Sequence, residues 1–152
     1  MKSFVSTDPV SHKGKTDSWL TPLWIVEALG SDFDLDPCGF EFHKTAKEVW
    51  QLPKCGLENK WFGKVWLNPP YSQAKQWLEK LSMHKKGSCL IFSRTGTLGK
   101  YMKECDHLFF FRKRIRFLDY RLNVSPFNPG ADSMILSWGK QDFSRLEGEQ
   151  IK

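Results

Sequence analysis

The 152 residues suffice for one compact domain with its own core and are too few for two. Hydrophobic residues make up 40% and charged residues 26%, and no apolar run approaches the roughly 20 residues of a membrane-spanning helix. The net charge of +6 favours an anionic partner, nucleic acid first among them. Met1 to Ser18 lack the apolar stretch of a secretory signal, so residues 1–18 are expected as a flexible arm of a cytoplasmic protein. Cys38, Cys55, Cys89 and Cys105 include no C-x-x-C pair, which predicts reduced, mostly buried thiols and no metal site.

The first predicted element is a short helix. Thr21 suits its N-cap, Pro22 its first position and Gly30 its end, with Leu23, Val26 and Leu29 turned inward. Phe33-Asp34-Leu35-Asp36 alternates apolar and acidic residues and reads as a strand that ends at Asp36-Pro37. From Cys38 to Trp61 no period dominates, and a mixture of helix and loop is expected. Lys64 to Leu67 reads as a second strand, stopped by Pro69-Pro70. Ala74, Trp77, Leu78 and Leu81 then share one face of an amphipathic helix.

Cys89 to Phe92 and Leu108 to Phe111 are apolar runs suited to strands buried on both faces. Arg114-Ile115-Arg116-Phe117 alternates, a loop follows from Asn123 to Gly130, and Ser133 to Trp138 is apolar again. These two stretches predict an antiparallel strand pair that closes the sheet, followed by a polar tail over 141–152. Strands that alternate with helices predict a single α/β domain over 19–140 with a mostly parallel sheet. Ligands of such sheets bind beyond the carboxyl ends of the strands. Asp36-Pro37, Asn68-Pro69-Pro70-Tyr71 and the loop from Ser93 to Thr97 all fall there.

Asn68-Pro69-Pro70-Tyr71 after an apolar strand is the sharpest chemical signal, set against the plainer reading of a rigid turn with a packed aromatic. The tetrapeptide resembles the catalytic motif of amino-methyltransferases, which act on adenine, cytosine or glutamine amines. With Asp17-Ser18-Trp19-Leu20-Thr21-Pro22, Phe33-Asp34-Leu35-Asp36 and Arg114-Ile115-Arg116-Phe117 in the same order, the chain resembles the small phage DNA N6-adenine methyltransferases, the Dam-like family.

The resemblance implies a compact Rossmann-like methyltransferase sheet, S-adenosyl-L-methionine as cofactor and double-stranded DNA as partner, with action in the cytoplasm of a bacterial host. It assigns catalysis to Asn68, Pro69, Pro70 and Tyr71: Asn68 Oδ1 and the Pro69 carbonyl would accept the two amine hydrogens, and Tyr71 would stack on a flipped adenine. Trp19, Thr21, Pro22, Asp36 and Pro37 would border the cofactor, although Thr21-Pro22 also serves as a plain helix start. Arg94, Arg112, Lys113, Arg114 and Arg116 would hold DNA phosphates; a solvated strand face is the alternative.

One departure stands out. Asp36-Pro37-Cys38-Gly39 has no second glycine after it, and Asp36 lies too close to Asn68 for two full strand–helix units. A strand and a helix of the usual sheet are expected to be shortened or missing at the adenosine end of the site, with Glu58 as a candidate acid there and a solvated surface acid as the plainer reading. Other readings are a protein-glutamine or cytosine-N4 methyltransferase, or a DNA-binding protein that keeps the fold without the activity.

Overall fold

The computed structural model describes residues 19–52, 54–125 and 131–152; the expected arm over 1–18 and part of the expected loop, 126–130, lie outside the described residues. Its strands are β1 (Leu35–Asp36), β2 (Glu48–Val49), β3 (Val65–Leu67), β4 (Gly87–Phe92), β5 (His107–Phe111), β6 (Ser133–Trp138) and β7 (Gly148–Gln150). Its helices are α1 (Leu23–Ala28), α2 (Ala74–His84) and α3 (Thr95–Glu104). The strands form one sheet in the order β2-β1-β3-β4-β6-β5-β7. Pairing is parallel from β2 to β4 and antiparallel from β4 to β7, so the expected mostly parallel sheet holds only for its first half.

Alternation along the strands divides the core between two faces. Val65, Leu67, Cys89, Ile91, Met134 and Leu136 meet Trp77, Leu78 and Leu81 of α2 and Leu98 and Tyr101 of α3. Trp66, Leu90, Phe92, Ile135 and Phe109 face the other way, toward Ile25, Val26 and Leu29 of α1. All six residues of β4 and all six of β6 are buried, as continuous apolar runs require.

Four expectations need correction. Leu23 is 38% exposed, and Ile25 takes the inward place in α1 beside Val26 and Leu29. The stretch from Ser93 to Thr97 is not all loop, since α3 begins at Thr95 despite Gly96 and Gly99. Arg114 to Phe117 is not a strand of the sheet. β6 pairs instead with β5, which holds the longer apolar run and offers more burial per residue. Residues 141–152 do not form a loose polar tail: Phe143 and Leu146 are buried, and β7 covers the outer edge of β5. Two apolar anchors were enough to dock a segment whose composition is otherwise polar, and pairing β5 closes an exposed strand edge.

Between β1 and β3 there is no helix among the described residues, only turns and the two-residue β2. The shortening expected from the spacing of Asp36 and Asn68 is therefore present in the fold.

Candidate active site

β1, β3, β4 and β5 all point the same way, because β6 is antiparallel to both β4 and β5. Asp36, Asn68, Ser93-Arg94 and Arg112 therefore leave the sheet along one rim. The chain departs from β1 on one side, to β2, and returns to β3 on the other. That reversal opens a crevice between the carboxyl ends of β1 and β3. A small cleft lies there. Of the residues expected at the site, Trp19, Thr21, Asp36, Asn68 and Pro70 line it. Leu20, Cys38, Gly39, Phe40, His43 and Thr45 line it too, and sequence reasoning missed them.

Asn68 is held in a defined orientation. Its Nδ2 donates to the Trp19 carbonyl at 2.8 Å and to Thr21 Oγ1 at 3.1 Å. A carbonyl can only accept, so the amide nitrogen must face Trp19 and Oδ1 must point the other way. No hydrogen bond ends on Oδ1 among the described residues. The Pro70 carbonyl accepts from the Gln73 amide at 3.1 Å, where Tyr71–Gln73 form a 3-10 turn. The Pro69 carbonyl receives no backbone donor among the described residues. Two acceptors, Asn68 Oδ1 and Pro69 O, thus lie side by side in sequence.

Thr21 does not cap α1 with its side chain, as the sequence suggested; no side-chain cap bond is made there. Its hydroxyl instead accepts from Trp66 Nε1 at 3.2 Å as well as from Asn68. Both acceptor positions of the oxygen are then filled, and its own hydrogen is left for an acceptor in the cleft.

Asp36, only 3% exposed, accepts from the Cys38 amide at 3.1 Å and from the Thr45 hydroxyl. Burial pushes its carboxyl up to about 6, and these two hydrogen bonds hold it below where burial alone would put it. Gly39 is required beside it: a Cβ there would lie 2.6 Å from Asp36 Oδ2 and 2.7 Å from Val49. One glycine therefore provides the close approach that a richer glycine loop would otherwise supply. Burial, the Asp36 charge and Cys89 push the Cys38 thiol well up, so it stays protonated and offers no nucleophile.

The missed residues come from the stretch without periodicity. His43 is buried and its Nε2 donates to the Thr21 carbonyl at 2.6 Å; Thr45 is buried on Asp36. The one signal in the sequence was a polar residue pair, His43 and Thr45, close after a strand-ending aspartate. Pro22 and Pro37 do not border the cleft, contrary to expectation. Pro22 precedes α1, and the Pro37 carbonyl packs against Gly56, where a Cβ would come within 2.0 Å. Glu58 is exposed in a turn outside the cleft. Tyr71 is half-buried and stacks on Phe92, centroids 4.2 Å apart and planes at 25°.

A family model described as DNA N-6-adenine-methyltransferase (Dam) matches residues 9–140, most of the chain. The chain belongs to this Dam family. No curated protein and no solved structure matches it.

In this Dam-family chain the basic residues gather along the rim without forming the expected hairpin. Arg94 precedes α3, exposed, with its guanidinium 5.8 Å from the centre of the Phe92 ring. Beyond β5, Arg112, Lys113, Arg114 and Arg116 are exposed while Ile115 and Phe117 are buried, so the predicted alternation survives without strand pairing. Arg112 pairs with Glu149 at 3.0 Å and Arg114 with Asp132 at 3.3 Å. Arg116 has no ion pair among the described residues. The segment ends at Leu118, which exchanges backbone hydrogen bonds with Leu20 at 3.0 and 3.1 Å. The basic stretch is thereby tied to the strand of chain that carries Trp19 and Thr21, the anchors of Asn68. Among the described residues no helix is long and apolar enough to cross a membrane.

Proposed function

We propose that this Dam-family chain transfers a methyl group from S-adenosyl-L-methionine to the N6 amine of an adenine flipped out of double-stranded DNA, at specific sites. The observation that carries the reading is the anchoring of Asn68, with Nδ2 tied to Trp19 and Thr21 and Oδ1 left to accept. An exocyclic amine delocalises its lone pair into the ring and is a poor nucleophile. Two acceptors, Asn68 Oδ1 and Pro69 O, would take its hydrogens, draw the nitrogen toward tetrahedral geometry and stabilise the positive charge that develops on it. Because these acceptors are preorganised, little reorganisation is needed during the reaction.

The donor set of the cleft suits the cofactor. The Thr21 hydroxyl retains a hydrogen for a carboxylate, Asp36 and Asn68 supply polar acceptors, and Trp19 and Phe40 supply aromatic surface. Bound there, S-adenosylmethionine would supply an already activated methyl group, so this chain's residues need only bind and orient. The protonated Cys38 thiol fits a direct transfer without a covalent enzyme intermediate. Tyr71, stacked on Phe92 at the rim, would be the aromatic that meets the base. Arg94, Lys113 and Arg116, with Arg112 and Arg114 released from weak surface pairs, would take phosphates around the rim.

The deciding experiment incubates the protein with labelled S-adenosylmethionine and unmethylated duplex DNA, then identifies the methylated nucleoside after digestion. N6-methyladenine that disappears in Asn68→Ala is the expected result. Label in cytosine or in protein, or none where cofactor binding is demonstrated, overturns the reading. Tyr71→Ala is expected to lower turnover far more than cofactor affinity; equal losses would reduce Tyr71 to a packing residue.

A further inference from the structure

The Asn68 anchors sit on residues 19–21, a segment that belongs to no helix and to no strand of the sheet. Among the described residues two sets of backbone contacts hold it from outside. One is the reciprocal bond between Leu20 and Leu118, and the other is His43, whose Nε2 reaches the Thr21 carbonyl at 2.6 Å. The carbonyl can only accept, so the imidazole carries its hydrogen on Nε2. The same Thr21 receives Asn68 Nδ2 on its hydroxyl, while Asn68 also bonds the Trp19 carbonyl. His43 is in turn seated by its own backbone, which accepts the Thr45 amide at 3.0 Å, and Thr45 bonds Asp36.

We propose that His43 is a positioning residue of the methyl-transfer site: by holding the Thr21 carbonyl it sets the segment that orients the Asn68 amide. The segment after β1 takes this role in place of a longer glycine loop. It joins Asp36, at the end of β1, to Asn68, at the end of β3, through side-chain and backbone hydrogen bonds across the cleft. A histidine that merely fills core space would be replaceable by a ring of similar size. The observed contact is directional and ends on a group that has no other donor among the described residues.

The proposal rests on the reading of Asn68 as the amine acceptor, and its test has an arm that does not need activity. In the unliganded protein, the side-chain amide resonance of Asn68 is assigned by its loss in Asn68→Ala. His43→Phe is expected to shift or broaden that resonance, whereas His43→Gln, whose amide nitrogen stands in for Nε2, is expected to preserve it. In the methylation assay, His43→Phe is expected to lower kcat by about tenfold to a hundredfold, beyond any change in Kd for S-adenosylmethionine, and His43→Gln to restore most of the rate. Should His43→Phe fail to fold, His43→Asn decides the point, because its shorter amide keeps polarity but cannot reach the Thr21 carbonyl. An unchanged Asn68 resonance in either variant overturns the proposal, as does a loss confined to cofactor affinity. A parent protein that methylates nothing would instead count against the proposed function, leaving the resonance arm to judge His43.

Discussion

The strands on the two sides of the sheet differ in length, direction and packing. On the parallel side β1 and β2 have two residues each and β3 has three. On the antiparallel side β5 and β6 have five and six. The parallel side buries Thr21, Asp36, His43 and Thr45 around one cleft. The antiparallel side buries stacked aromatics, Phe109 on Phe143 with centroids 5.2 Å apart, and a Ser88–Ser137 hydroxyl pair at 2.6 Å that Gln141 Oε1 completes at 3.1 Å from Ser88. Buried polar groups are costly unless paired, and those of the parallel side are paired with one another and with Asn68 around the cleft. The division teaches that the short strands serve as mounts for the site, and the long ones hold the domain together.

Substitutions that separate activity from stability sharpen this comparison. The largest effect is expected from Asn68→Ala, which should lower kcat by about a hundredfold to a thousandfold, as loss of a preorganised transition-state contact does, while costing only about 1–2 kcal/mol of stability through its two lost hydrogen bonds. A parallel loss of stability would mean that Asn68 is chiefly structural. Phe109→Ala is the mirror case: about 3–5 kcal/mol of stability lost in denaturant unfolding, with turnover per folded molecule preserved. Near-parental stability would contradict the structural role of the antiparallel side.

Asp36 tests the boundary between the two. Its carboxyl is raised from 3.8 to about 6 in the folded state, so between these values the unfolded chain releases a proton that the folded chain keeps. Stability should therefore fall as pH rises from about 4 to about 6 and then level off, a change on the order of 3 kcal/mol. Asp36→Asn should flatten that slope in unfolding measured across the pH range, and an unaltered slope would place the titration elsewhere. The smallest effect is expected from Arg116→Glu, which should weaken duplex DNA binding several-fold and reduce the slope of log affinity against log salt by about 1 or more. The slope should change less in Arg114→Glu, since Arg114 is already paired with Asp132. An unchanged slope in both would remove the basic segment from the DNA contact surface.

Much of the frame was legible because it rests on local patterns. The apolar runs of β4 and β5 read as buried strands, the Ala74–Trp77–Leu78–Leu81 stripe as the inner face of α2, and Asn68-Pro69-Pro70-Tyr71 as a strand-ending turn on the rim. Illegible were contacts whose partners lie far apart in sequence. Nothing local marks His43 as the donor to Thr21, or Thr21 as the acceptor for Asn68 and Trp66. Arg114 to Phe117 carries a strand's alternation without strand pairing, because burial of Ile115 and Phe117 against the core satisfies the pattern by itself.

The sequence by itself determined the inward faces of β4 and α2 and that Asn68-Pro69-Pro70-Tyr71 would follow directly on β3. These follow from periodicity and from the fixed φ of proline, both properties of neighbouring residues. The tertiary structure alone decided that Asp36 and Asn68 flank one cleft, that Thr21 bonds both His43 and Asn68 there, and that the last residues close the β5 edge. Hydrogen bonds across the cleft and pairing at a sheet edge depend on which distant segments meet, and only the folded sheet brings them together.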